Sequence, residues 1–158
     1  MPYQSFVPVT GIIREITSMT GECCNRMISI MSSSGITNFI VAPETFVVGC
    51  TRLRPGMRVA AFYDSDLPVP LIFPPQYRAE MITVLRPNEN IKLDYFDKDL
   101  TSSDKSLSLN ISRSTNVTTV NGQRFECSPG GHILLVYYFN TTRSIPAQTT
   151  PEKIIVFC

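Results

Sequence analysis

Few residues have the chemistry to build a reaction centre. Cys127 and His132 stand five apart across Ser128-Pro129-Gly130-Gly131. At that spacing an imidazole can activate a thiol, or the two can share a zinc ion. His132 is the single histidine and no C-x-x-C pair accompanies it, so a zinc site needs Cys50 or Cys158 brought in by the fold. A buried thiol beside a surface histidine is the expectation. Asp94, Asp97, Asp99 and Asp104 are dense enough to suggest calcium, but the loop glycine and terminal glutamate of a calcium-binding hand are missing. Lys92, Lys98 and Lys105 interleave with them, which predicts a solvated, charged strand and turn. No phosphate-binding loop, dinucleotide fingerprint or nucleophile elbow occurs. The sequence therefore predicts no catalytic residues, no cofactor and no metal, and reads as a non-enzyme.

Two loops carry binding chemistry instead. Residues 64–77 read DSDLPVPLIFPPQY. Pro68, Pro70, Pro74 and Pro75 favour extended backbone and remove N–H donors. Leu67, Val69, Leu71, Ile72 and Phe73 make the loop too apolar to sit comfortably in water, so it must cover something. It either caps its own domain or the other half of the chain, or it meets a second protein chain. On the latter reading Leu67, Val69, Leu71, Ile72, Phe73 and Tyr77 form the interface. The loop over 140–151, NTTRSIPAQTTP, is polar. Thr141, Thr142, Arg143 and Gln148 are its candidate ligand residues, Arg143 as a partner for phosphate or carboxylate. The competing expectation is a solvated loop whose hydroxyls bond their own backbone.

The elements that must position these loops read as strands. The chain has 158 residues, 43% hydrophobic and 17% charged, enough for one domain or two small ones and too little charge for disorder. Weak internal repetition favours two. Ile28-Ser29-Ile30 matches Leu107-Ser108-Leu109, Thr37-Asn38 matches Thr115-Asn116, and Val59 to Asp64 matches Leu135 to Asn140. Pro70 and Pro75 match Pro146 and Pro151, and Glu80 to Val84 matches Glu152 to Val156. The separations shrink in order along the chain, as a duplication with shorter loops in the second copy would give. The predicted copies are 1–87 and 88–158, joined near Arg86-Pro87-Asn88-Glu89-Asn90.

Five strands are predicted in each copy. In the first they are 11–16, 27–31, 37–41, 58–63 and 79–85. In the second they are 91–96, 107–111, 116–120, 133–139 and 153–157. Asn121-Gly122 predicts a hairpin turn. Pro55-Gly56 and Pro129-Gly130-Gly131 predict the turns before each fourth strand. At most one or two helical turns are expected, between Pro43 and Leu53.

Five short strands per copy and a Pro-Gly entry into the fourth resemble the OB-fold, a small five-stranded Greek-key barrel. The resemblance rests on Leu53, Pro55, Gly56, Met57, Val59 and Phe62 in the first copy, and on Pro129, Gly130, Ile133, Leu135 and Tyr137 in the second. It implies an all-β protein of two tandem five-stranded OB-like barrels, with grooves flanked by the two loops. The alternative is a single β-sandwich of immunoglobulin type, which lacks the expected Trp and Cys pair. The chain is also similar to uncharacterised bacterial proteins with an apolar Pro-rich loop and a TTRSIPAQTTP loop, a resemblance that implies no activity.

The expected function is a non-enzymatic binding or assembly module whose Pro-rich loop contacts a protein partner or a second copy. The alternative is single-stranded nucleic-acid binding in the OB grooves, with Phe39, Phe62, Tyr63, Tyr137, Tyr138 and Phe139 as stacking candidates. The net charge of +1 argues against it: residues 1–86 hold seven cations and six anions, and 87–158 seven of each. A small Cys/His enzyme is the remaining alternative. No apolar run reaches a membrane span, so no membrane partner is expected. The N-terminus reads as no secretory signal. The five cysteines are odd in number and two are adjacent, which favours free thiols and a cytoplasmic location. The counter-signal is three N-x-S/T triplets, at Asn110, Asn116 and Asn140, glycan acceptors in a secretory context.

Overall fold

The computed structural model of the chain describes residues 2–158. They are all-β: thirteen strands in several sheets, with 3₁₀ turns at Pro2–Ser5 and Val48–Cys50 and no α-helix among them. The residues divide into two compact units, one holding 4–87 with Pro2 and the other 88–158 with Tyr3.

In the first unit β1 (Phe6–Met19), β2 (Glu22–Ser32) and β3 (Gly35–Val41) form an antiparallel meander. Gly21, at φ 75°, and Gly35, at φ 111°, take the left-handed backbone that the two reversals require. A short β4 (Phe46–Val47) follows, then β5 (Arg58–Asp64), which pairs antiparallel with β1. The turn before β5 is tied to β1, because Gly56 N–H donates to Ile13 O at 2.8 Å and Ile13 N–H to Met57 O at 2.8 Å. The last segment is β6 (Gln76–Arg78) and β7 (Met81–Val84), separated by Ala79 and Glu80. β6 runs parallel to β3 at one edge of the strand order, and β7 runs antiparallel to β5 between it and the edge strand β4. Ala79 N–H donates to Ile40 O and Glu80 N–H to Phe62 O at the changeover.

The core of this unit is Ile13, Ile28, Ile30, Phe39, Val59, Ala61, Ala79 and Ile82. In β5 the four residues Val59 to Phe62 are all fully buried, which is why that strand reads as a continuous apolar run rather than an alternation. The helical turns expected between Pro43 and Leu53 shrink to Val48–Cys50. Phe46 and Val47, an aromatic and a β-branched residue, instead pair with β7, and Gly49 leaves helical geometry at φ 72°.

The second unit contains β8 (Asn90–Phe96), β9 (Leu107–Leu109), β10 (Asn116–Thr119), β11 (His132–Tyr138), β12 (Ala147–Thr149) and β13 (Lys153–Phe157). β11 lies between β8 and β13, antiparallel to both; β10 runs parallel to β13 and β9 parallel to β12. Its core is Phe96, Leu107, Leu109, Leu134, Val136, Ile154 and Val156. The turn at Asn121-Gly122 forms, with Gly122 at φ 86°, and returns residues 123–125 along β10.

The two units repeat a bonding pattern in detail. Thr45 Oγ1 accepts from Ala42 N–H and donates to Ala79 O, while Phe46 N–H donates to Glu80 O. Thr115 Oγ1 accepts from Ser112 N–H and donates to Pro151 O, while Asn116 N–H donates to Glu152 O. Glu80 N–H bonds Phe62 O, and Glu152 N–H bonds Tyr137 O.

In this bonding pattern Thr115 is the counterpart of Thr45, whereas the sequence match pairs it with Thr37. Leu107–Leu109 runs parallel to β12 as the middle of β3 runs parallel to β6, whereas the sequence match sets it against Ile28–Ile30. Leu134 lies opposite Val156 and Val59 opposite Val84, one residue away from the sequence match of Val59 with Leu135. Between β8 and β9 the chain makes a short turn with two isolated bridges, Phe96 with Ser102 and Thr101 with Ser108. Short apolar runs resemble one another in composition, so only the hydrogen bonds could set their order.

The carboxylates over 94–104 build this shortened turn. Asp104 accepts from the hydroxyls of Ser102 and Ser106 at 2.7 Å each and from Ser106 N–H at 3.0 Å, and it pairs with Lys92. Partial burial pulls its carboxyl upward, but bonds from Lys92, Ser106 and Ser102 outweigh it and hold the pKa well below the carboxylate range. A pKa lowered in the fold adds stability above the unfolded value of about 4 and loses it as pH falls through the folded value. Asp104 is about half exposed, so the gain is under about 1 kcal/mol. Urea unfolding of Asp104→Asn is expected to show that deficit at pH 7 and a progressively smaller one below pH 4; an equal deficit at pH 2 would contradict it.

Candidate binding loops

Residues 64–77 run from the end of β5 into β6 and are held hard at the base. Tyr63 and Tyr77 stack with ring centroids 3.8 Å apart and planes within 8°, and Phe39 lies 6.5 and 5.7 Å from them. These rings share the inward row of β3, β5 and β6, so they continue the core to the mouth of the loop. Burial pushes the Tyr63 hydroxyl pKa up, and Tyr77 adds to this by its charge and its hydrogen bond. On the entering side Ser5 Oγ donates to Asp64 Oδ1 at 2.6 Å, and Ser65 donates to Ser5 O from both N–H and Oγ. Asp66 N–H and Leu67 N–H then close back on Asp64.

Beyond that stem the side chains are bare. Leu71 is 101% exposed and Phe73 93%, with Leu67, Val69 and Ile72 close to half exposed. Five of the six predicted interface residues thus face solvent. Tyr77 does not: it is half-buried in the stack and serves the stem. The expectation that the loop caps its own unit fails at Leu71 and Phe73, because the prolines hold that segment extended and no neighbouring side chain covers it.

The polar loop of the second unit is knitted to itself. Thr142 N–H donates to Gln148 O and Gln148 N–H to Thr142 Oγ1; Ser144 Oγ donates to Pro146 O and Thr149 Oγ1 to Asn140 O. Most of these hydroxyls are engaged by their own loop. An open cleft of about 640 Å³ lies beside it, lined by Thr141, Thr142 and Gln148 together with Asn110, Ser114 and Glu152. Arg143 is not part of that lining. Ile145 was missed from sequence: it is 98% exposed and precedes Pro146 as Phe73 precedes Pro74, the signal that could have found it. Both X-Pro bonds are cis.

The remaining candidates are dispersed. His132 Nδ1 lies 3.2 Å from Pro129 O and 3.3 Å from Gly130 O, and its ring meets the edge of Phe125 at 5.6 Å. Its imidazole is occupied by its own turn. Cys127, expected buried, is exposed, as are Cys23, Cys24, Cys50 and Cys158, and all five are free. Among the described residues no three His, Cys, Asp or Glu side chains gather as a metal site.

Of the stacking candidates Phe39, Phe62 and Tyr137 are buried, and Tyr138 packs against the second core. No helix among the described residues is long and apolar enough to cross a membrane. Compared with protein-family models, curated proteins and solved structures, the chain matches none of them.

Proposed function

We propose that the protein is a non-enzymatic binding or assembly module built from two OB-like barrels, and that the Pro-rich loop is its contact with a protein partner or a second copy. The observation that carries this is the pair Leu71 and Phe73, fully exposed on a loop whose stem is clamped by stacked tyrosines. Large apolar side chains displayed together on a fixed support are the signature of an interaction site. The barrel reading is supported by the strand order of the first unit, in which the successive strands β6 and β7 pair with β3 and with β5. Duplication is supported by the matching roles of Thr45 and Thr115. In an OB-fold the loop between the fourth and fifth strands flanks the ligand face, and on the barrel reading both loops described above fall there. Five free, exposed thiols support the cytoplasmic placement.

Leu71→Ser with Phe73→Ser tests the reading. The double variant is expected to weaken self-association or partner capture at least tenfold, by light scattering or pull-down against the wild type. Its unfolding midpoint should stay put, since neither side chain is buried. Undiminished association would remove the loop from the interface.

A further inference from the structure

A second feature of the first unit lies away from the Pro-rich loop. On β2 the residues Arg26, Ile28 and Ile30 share one face, and Ile28 and Ile30 are 1% and 0% exposed. Arg26, itself exposed, therefore continues the row of the two buried isoleucines out to the surface. The chain after β4 brings Arg52 and Arg54 to the same place, and the three arginines rim a cleft of about 520 Å³. Its floor is aliphatic, made by Ile16, Ile28, Val41 and Leu53. No carboxylate lines it, and among the described residues none of the three guanidinium groups has a hydrogen-bonding or ionic partner. Arg78, by contrast, pairs with Glu44 at 2.8 Å, and Arg58 donates to Arg86 O at 2.9 Å.

We propose that this cleft binds an aliphatic carboxylate, a free fatty acid whose chain lies on the aliphatic floor and whose head group is held by Arg26, Arg52 and Arg54. Guanidinium groups recognise carboxylates through paired N–H donors. A cleft of several hundred Å³, mostly apolar with a few convergent polar groups, suits a small amphiphile. The lining contains no aromatic ring, so it offers a nucleic-acid base nothing to stack on. An acyl chain needs only apolar contact.

Decanoate, below its micelle concentration, is the probe, titrated calorimetrically into the full chain at low salt. Saturable one-to-one binding is expected, at least tenfold tighter than that of decyl maltoside, which has the chain without the charge. The Arg52→Gln/Arg54→Gln variant should bind decanoate at least tenfold more weakly with an unchanged unfolding midpoint. Methyl resonances of Ile16, Ile28, Val41 and Leu53 should shift with decanoate in the wild type, a readout that holds even where the variant folds poorly.

No saturable binding up to millimolar decanoate would overturn the proposal. So would equal binding of the neutral amphiphile, or shifts confined to other methyl groups. Arginine-dependent binding of an oligothymidylate, an acidic peptide or anionic phospholipid vesicles in place of decanoate would overturn it too, by assigning the cleft to that ligand.

Discussion

Phe39→Ala is expected to destabilise the first unit by about 3–5 kcal/mol, measured as the shift in its denaturant unfolding transition. Phe39 is completely buried in the centre of β3. It packs in the cluster with Ile13, Ile28, Ile30, Val59 and Ile82, and it backs the Tyr63–Tyr77 stack. Removing its ring takes away transfer free energy and leaves a void that stiff, β-branched neighbours fill poorly. The loss should also reach the loop, because both tyrosines stand at its stem. Near-ultraviolet circular dichroism should weaken before the unit unfolds. Phe73→Ala is the control: the same side chain, 93% exposed, is expected to change stability by no more than about 0.5 kcal/mol. Equal effects at the two positions would contradict the burial described for β3.

Gly11→Ala is expected to cost about 3 kcal/mol for a different reason. Gly11 sits in β1 opposite Val59, just before the β1–β2 pairing begins at Ile12 and Met31. A Cβ there would overlap Met31 O and lie 2.8 Å from Ile30 Cγ2. The first contact is with backbone, so no rotamer change relieves it, and the pairing of β1 with β2 must shift. Gly21→Ala, at the tip of the same hairpin, meets nothing within 4 Å and carries only the penalty of its positive φ, about 1–2 kcal/mol. Thermal or urea unfolding of the two variants should rank them in that order. If Gly11→Ala proved the milder, β1 and β2 would not approach as closely as described.

Much of the strand content was legible because apolar and β-branched runs mark it directly. Thr37–Val41 and Arg58–Tyr63 fall inside β3 and β5, and Lys153–Phe157 is β13. The turns at Pro55-Gly56 and Asn121-Gly122 were legible for a stereochemical reason, since Gly56 and Gly122 adopt positive φ. β4, β6 and β12 were not, because each is two or three residues long and exists only through pairing with a distant strand. The parallel pairing of β9 was hidden in the same way: Leu107-Ser108-Leu109 and Ile28-Ser29-Ile30 look alike, yet β9 pairs parallel with β12 while Ile28 to Ile30 lies in an antiparallel meander.

The candidate loops were visible as departures from strand chemistry. Their division into covered and bare residues was not. Tyr77 and Phe73 are both aromatic residues at the end of one loop, and only the position of Tyr77 within β6 turns it onto Tyr63. The arginine cleft left no local trace, since Arg26 and Arg52 meet only after the β1–β2 hairpin and the chain before β5 have folded.

If the Pro-rich loop is the contact surface proposed above, the stacked rings at its stem have a thermodynamic consequence for the partner. Four prolines already fix φ along that segment, and the stem removes much of the remaining freedom of its ends. Association then surrenders little chain entropy, and more of the apolar area covered on docking is realised as affinity. Capture by such a rigid display should resemble the fitting of two finished surfaces rather than folding upon binding.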